Sequence, residues 1–179
     1  MGQILMSTEH TVKSALKSTK VLVAEDDPIM LRLIRDLLGI VGFDDITIVK
    51  DGKTAIKEIL AHNYDIVFCD WKMPELDGIE FTRAVRRLPY YEKCGIPIIM
   101  ITGKTTMQDV ALARDAGINE YLAKPFNLKV MSEKVKAVIE NPRKYVMSDT
   151  YSGPDRRRHK DGRPPASERR TNTDIEEIK

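Results

Sequence analysis

The sequence predicts an α/β domain built on a parallel sheet with helices on both faces. Three observations point there. Five short apolar runs, each bounded by turn residues, alternate with five stretches of helical periodicity between Lys20 and Asn141. The runs are continuously apolar, as strands buried on both faces are, rather than alternating. Several end on polar residues, which a shared strand direction would gather at one edge of the sheet.

The first strand is Lys20 to Ala24, halted by Glu25-Asp26-Asp27-Pro28. Asp27 suits a helix cap and Pro28 the first helical position. Leu31, Ile34, Leu38 and Val41 follow at helical spacing until Gly42 stops them. A second strand, Ile46 to Val49, meets Asp51-Gly52, and the helix behind it lays Ala55, Ile56, Ile59 and Leu60 on one face. Ile66 to Cys69 forms the third strand. It ends on Asp70, and turn signals follow at Met73-Pro74 and Asp77-Gly78. Asp77 and Glu80 open the third helix as an acidic capping pair, running to about Arg87.

A looser segment, Leu88 to Gly95, leads to the fourth strand, Ile98 to Thr102. Thr105 with Gln108 reads as a capping box for the fourth helix, which ends near Ala116-Gly117. Tyr121 to Lys124 is a short fifth strand. Asn127 opens the last helix, with Leu128, Met131, Val135 and Val138 facing inward, and Asn141-Pro142 ends it. Right-handed crossovers leave few ways to wind such a chain.

Composition bounds the rest. The 179 residues suffice for one ordinary domain plus spare chain, and an apolar content of 42% can build a core in its middle. The net charge of +2 is unevenly spread: residues 20–141 are slightly acidic, whereas 155–170 are basic. Cys69 and Cys94 are the only cysteines and lack metal-ligand spacing, so a reduced cytoplasmic setting is expected. No apolar run reaches bilayer-spanning length. Residues 1–19 read as a flexible leader and 142–179 as a basic, Pro- and Arg-rich disordered tail.

The strand ends hold the chemistry. Glu25 and Asp26 follow the first strand, Asp70 ends the third, Thr102 the fourth and Lys124 the fifth. Two unit charges ~4 Å apart near a protein surface interact by roughly 4 kcal/mol. Gathered carboxylates must therefore protonate, pair with a cation or bind metal. Lys124 is one partner, and a hard divalent ion such as Mg²⁺ is the other. A carboxylate is a competent nucleophile toward phosphorus. Lys124 and Thr102 could then hold phosphoryl oxygens. No Walker-type loop is present.

The segments Val21-Leu-Val-Ala-Glu25-Asp26-Asp27-Pro28, Asp70-Trp71-Lys72-Met73-Pro74 with Asp77-Gly78, Ile101-Thr102-Gly103 and Tyr121-Leu-Ala-Lys124-Pro125-Phe126 closely resemble the receiver domain of bacterial response regulators. The similarity covers Lys20 to about Asn141. It implies a flavodoxin-like (βα)5 three-layer sandwich with a central five-stranded sheet. Asp70 would be the phosphoacceptor, charged by a sensor histidine kinase or a histidine phosphotransfer protein. Asp26 and Asp70 would bind Mg²⁺ directly, Glu25 through water, and the Lys72 carbonyl would complete the set. Lys124 would contact the phosphoryl group, after which a cis peptide precedes Pro125. Thr102 and Tyr121 would be the switch pair. Lys72 and Lys104 stand where side chains in this family influence phosphoryl lifetime.

The expected product is a stand-alone phosphoacceptor switch, not an enzyme with an external substrate. By the resemblance, its signal leaves through the fourth helix, fifth strand and fifth helix (Thr106 to Asn141) toward a protein target. A phosphate shuttle in a multistep relay is the alternative, and a phosphorylation-dependent dimer stays open. A Mg²⁺-dependent aspartyl-phosphate phosphatase would want a second acid where Lys72 stands. The tail is read as a solvated extension or as docking segments, Tyr151 to Arg158 and Ser167 to Arg170, for an acidic partner. Its interspersed acids, and the lack of a helix-turn-helix, argue against nucleic acid.

Overall fold

A computed structural model describes residues 16–148 and 150–156. Its first five strands are β1 (Lys20–Ala24), β2 (Asp45–Val49), β3 (Ile66–Asp70), β4 (Ile98–Thr102) and β5 (Glu120–Ala123). All pair in parallel in the order β2-β1-β3-β4-β5. The helices between them are α1 (Pro28–Val41), α2 (Gly52–Ala61), α3 (Gly78–Arg86), α4 (Met107–Ala116) and α5 (Leu128–Glu140). A single helical turn, Tyr91–Cys94, interrupts the loop before β4.

Strand alternation sorts the core into two layers. Leu22, Ala24, Val67, Cys69, Ile98 and Met100 face α2, α3 and α4, packing on Ala55, Ile59, Phe81, Val85 and Ala113. Val21, Val23, Ile66, Phe68, Ile99 and Ile101 face α1 and α5, packing on Ile34, Leu38, Met131 and Val135. The doubly wound three-layer sandwich is thus as the periodicity predicts. Among the described residues no helix is long and apolar enough to cross a membrane.

The predicted caps of α1, α3 and α5 are present, and α2 is capped by Asp51, which the sequence reading does not assign. Asp27 accepts from the amides of Ile29 and Met30, Asp51 from Thr54 and Asn127 from Val130. Asp77 and Glu80 form a reciprocal capping box. The box on α4 is one residue later than expected. Thr106 and Asp109 close it, rather than Thr105 and Gln108. A carboxylate at the positive end of a helix dipole is favoured over a neutral amide there. Leu60 is half exposed, so the inward face of α2 is narrower than the sequence suggests.

Both proposed boundaries also shift. Leu16, placed in the leader, is buried against α1, and a Cβ at Gly42 would lie 3.8 Å from its side chain. Residues 1–15 lie outside the described residues. The stretch expected to begin the tail instead forms an antiparallel hairpin, β6 (Tyr145–Ser148) with β7 (Tyr151–Pro154). Residues 157–179, with the Ser167 to Arg170 segment, lie outside the described residues.

The hairpin folds because it covers an arginine. Arg86, 3% exposed, ends α3 and donates to the carbonyls of Gly117 (2.9 Å), Cys94 (2.5 Å) and Ile96 (2.8 Å) and to Asn119 Oδ1 (3.1 Å). Burial pulls its pKa down to about 10. The Tyr145 ring lies 5.9 Å from the guanidinium carbon. Gly117, at φ 103°, closes α4, and its Cα would lie 3.1 Å from a Cβ on Gly153, so the two backbones meet where neither residue has a side chain. Arg156 then pairs with Asp115 at 3.1 Å.

Replacing Arg86 by methionine keeps the bulk but orphans the carbonyls of Gly117, Cys94 and Ile96, while Asn119 Oδ1 keeps its bond from the Ile98 amide. Orphaned groups of this kind cost ~1–3 kcal/mol each, softened by relaxation. Urea unfolding of Arg86→Met is expected to show a loss of about 3 kcal/mol.

Candidate functional site

The sheet order reverses between β1 and β3, and ligand crevices in open α/β sheets form at such a point, beyond the carboxyl ends of the strands. Ala24 pairs with Cys69, which sets Glu25 level with Asp70. Thr102 pairs with Ala123, which brings Lys124 just past the end of β4. Its amide donates to the Thr102 carbonyl at 2.8 Å, and the Lys124-Pro125 bond is cis, as the resemblance implies.

Four of the predicted residues converge. Lys124 Nζ donates to Asp70 Oδ1 at 2.6 Å and to Glu25 Oε2 at 2.8 Å. The Lys72 amide donates to Asp70 Oδ2 at 2.8 Å. Asp26, exposed, completes a group whose carboxylate oxygens, one from each of Glu25, Asp26 and Asp70, lie within 4.8 Å of one another. Glu25 is 1% and Asp70 5% exposed.

The turn after β3 is fixed by its backbone. The Gly78 amide donates to the Trp71 carbonyl at 2.9 Å, and a Cβ at Gly78 would collide with the carbonyl of Asp70. Only glycine lets α3 start this close to the strand end. The Asp77-Gly78 pair was legible as a turn, but its closeness to the Asp70 backbone was not.

The electrostatics are lopsided. Burial raises the Glu25 carboxyl above its ordinary 4.5; the bond from Lys124 offsets part of this, and the Asp70 charge adds to it. Burial pulls Lys124 down, but bonds to Asp70 and Glu25 and their charges outweigh it, leaving the ammonium above its ordinary 10.5. Lysine therefore gains from the arrangement and glutamate bears the cost. Three carboxylates against one ammonium leave an uncompensated charge of two, which a divalent cation would neutralise. Mg²⁺ takes hard oxygen donors, and Glu25, Asp26 and Asp70 bring three of them within 4.8 Å of one another.

The remaining predicted residues sit beside this cluster. Thr102, 2% exposed, accepts from the Lys104 amide at 2.9 Å. The half-buried Tyr121 donates its hydroxyl to the Lys104 carbonyl. Lys72 has an exposed side chain, while the Lys104 ammonium lies 4.3 Å from the centre of the Trp71 ring. Trp71 is 2% exposed and meets Tyr121 edge-on at 6.5 Å. This stacking was not foreseen; a lone tryptophan beside the strand-end acid was its one signal.

The Glu25 shift gives stability a pH signature. A carboxyl whose folded pKa is raised favours folding below its unfolded value, and that contribution is lost as pH rises through the folded one. Without divalent cations, Glu25→Gln is expected to melt above the wild type at neutral pH. The difference should vanish below pH ~3, where the glutamate is protonated in both states. Equal melting temperatures throughout would contradict this.

Comparison with known proteins agrees with the geometry. Residues 21–136 match the response regulator receiver domain. The chemotaxis protein CheY of Pseudomonas aeruginosa is 35% identical over 124 residues, covering 68% of this chain and 96% of that protein. A CheY homolog of Campylobacter jejuni is 37% identical over 122 residues, covering 67% and 92%. Among solved structures, the receiver domain of sensor histidine kinase PA1611 from P. aeruginosa, with a magnesium ion coordinated in its active site cleft, superposes with a TM-score of 0.63. It is 30% identical and covers 69% of this chain and 98% of that one. Chemotaxis response regulator CheY4 of Vibrio cholerae gives 0.61 at 27% identity, covering 67% and 98%. With its sheet order, its strand-end acids and these likenesses in agreement, the chain belongs to the response regulator receiver domain family.

Proposed function

We propose that Asp70 is the phosphoacceptor of a two-component signalling switch. One observation supports this above the others: the Asp70 carboxylate ends the central strand, held by Lys124 at 2.6 Å beside Glu25 and Asp26. An Asp70 oxygen attacks the phosphorus of a phosphohistidine on a sensor histidine kinase or histidine phosphotransfer protein. The new O–P bond forms as the N–P bond breaks, and the imidazole leaves with the electron pair and takes a proton from solvent. Lys124, already charged, balances the phosphoryl oxygens.

Asp26, Asp70 and the Lys72 carbonyl would hold Mg²⁺, with Glu25 acting through water, and the bound ion would supply charge neutralisation on the transferring group. The phosphoryl adds roughly −2 charge beside Thr102. Drawing the Thr102 hydroxyl toward it disturbs the bond from the Lys104 amide, whose carbonyl holds Tyr121. That chain links Asp70 to α4, β5 and α5, the surface offered to a downstream protein, and shifts a population between two arrangements. The Lys72 and Lys104 side chains tune how long the acyl phosphate survives. Lys104 can leave the Trp71 ring to pair with phosphoryl oxygens or obstruct water.

Intact-mass spectrometry tests the reading. With acetyl phosphate and Mg²⁺ the chain is expected to gain one phosphoryl group, and Asp70→Asn or chelation to prevent it. Lys72→Ala and Lys104→Ala should accept the group and lose it at a changed rate. An unmodified wild type would overturn the proposal, and unchanged decay in both lysine variants would remove their assigned role.

A further inference from the structure

Lys104 is gripped at three points by three different residues. Its amide donates to Thr102 Oγ1 at 2.9 Å, its carbonyl accepts from the Tyr121 hydroxyl, and its ammonium lies 4.3 Å from the centre of the Trp71 ring. The ring is a fixed platform. Trp71 is almost wholly buried, and Tyr121 packs edge-on against it at 6.5 Å. Its backbone is pinned on both sides: the amide donates to the Ile101 carbonyl and the carbonyl accepts from the Gly78 amide, each at 2.9 Å.

Trp71 directly follows Asp70, so its ring parks a positive charge beside the phosphoacceptor. Among the described residues Lys104 forms no ion pair, which leaves the ring face as the partner of its ammonium. An aromatic face attracts a cation through its quadrupole alone, whereas a phosphoryl oxygen offers full charge and a hydrogen bond. A phosphoryl group on Asp70, adding roughly −2 charge, therefore competes with the ring for one ammonium. Drawing the Thr102 hydroxyl toward that group also weakens the grip on the Lys104 amide and frees the side chain to move.

We propose that Trp71 is a positioning residue for Lys104, and that its ring, by retaining the ammonium, shortens the life of the acyl phosphate. The inference rests on the reading of Asp70 as phosphoacceptor. In hydrolysis a water oxygen bonds to phosphorus as the bond from phosphorus to the Asp70 oxygen breaks. The carboxylate leaves with the electron pair, and the water's proton passes to solvent. An ammonium paired with the phosphoryl oxygens obstructs that water; one resting on Trp71 does not. Weakening the ring's hold thus prolongs the phosphorylated state, but only while the lysine is present.

The chain is phosphorylated with acetyl phosphate, desalted, and its decay with Mg²⁺ followed by intact mass. Trp71→Leu is expected to decay about threefold more slowly than the wild type, and Lys104→Met about threefold faster. The double variant should decay as Lys104→Met does, since a ring with no cation to hold has no effect. Lys104→Arg, which restores a cation to the ring face, should return toward the wild-type rate. Circular dichroism checks that the buried substitution folds. Trp71→Phe keeps a smaller ring face and is expected between the wild type and Trp71→Leu; it carries the same cycle where leucine is not accommodated. Equal slowing with and without the lysine, or no slowing at all, overturns the inference and leaves Asp70 as phosphoacceptor. A wild type that gains no phosphoryl group overturns both.

Discussion

The paired bonds from Lys124 to Glu25 and Asp70 are the constraint on which the rest of the molecule converges. The lysine arrives from the end of β5, crosses the end of β4, and reaches carboxylates carried by β1 and β3. That reach exists only because the strands share one direction and the order β2-β1-β3-β4-β5 puts β3 at the centre. The three acids repel one another, and one ammonium cannot balance them. The fold holds Glu25 dehydrated and above its ordinary pKa at a cost to stability, as sites readied for a ligand commonly do.

Much of this was legible because the determining signals are local. Continuous apolar runs specify doubly covered strands, and Asp27, Asp77 and Asn127 are caps whose side chains act within one turn. Strand ends could be placed at one lip without knowing the register. Interactions between distant segments were not legible. The Lys104 ammonium over Trp71 and the approach of Gly78 to the Asp70 backbone depend on where loops fall in space. The slip at α4, from Thr105 to Thr106, arose because two adjacent threonines satisfy the same template and a charged Asp109 decides between them.

The hairpin shows the same limit more sharply. Composition alone argues that residues after Pro142 cannot bury a core, since aliphatic residues thin out there. They do not need one of their own. Tyr145 and Tyr151 cover an arginine supplied by α3, and Gly153 meets Gly117 backbone to backbone. A cation satisfied by four oxygens from two separate segments has no signature along the chain. It extends the ordered body of the protein past the end of the receiver match.

A set of carboxylates gathered beyond what one lysine can neutralise should take up a divalent cation, and Trp71, next to Asp70, is placed to report it. Mg²⁺ titration followed by Trp71 fluorescence is the most direct measurement. A saturable change in the wild type that is lost in Asp26→Asn is the expected result. A flat titration, or one that Asp26→Asn leaves unaltered, would contradict it.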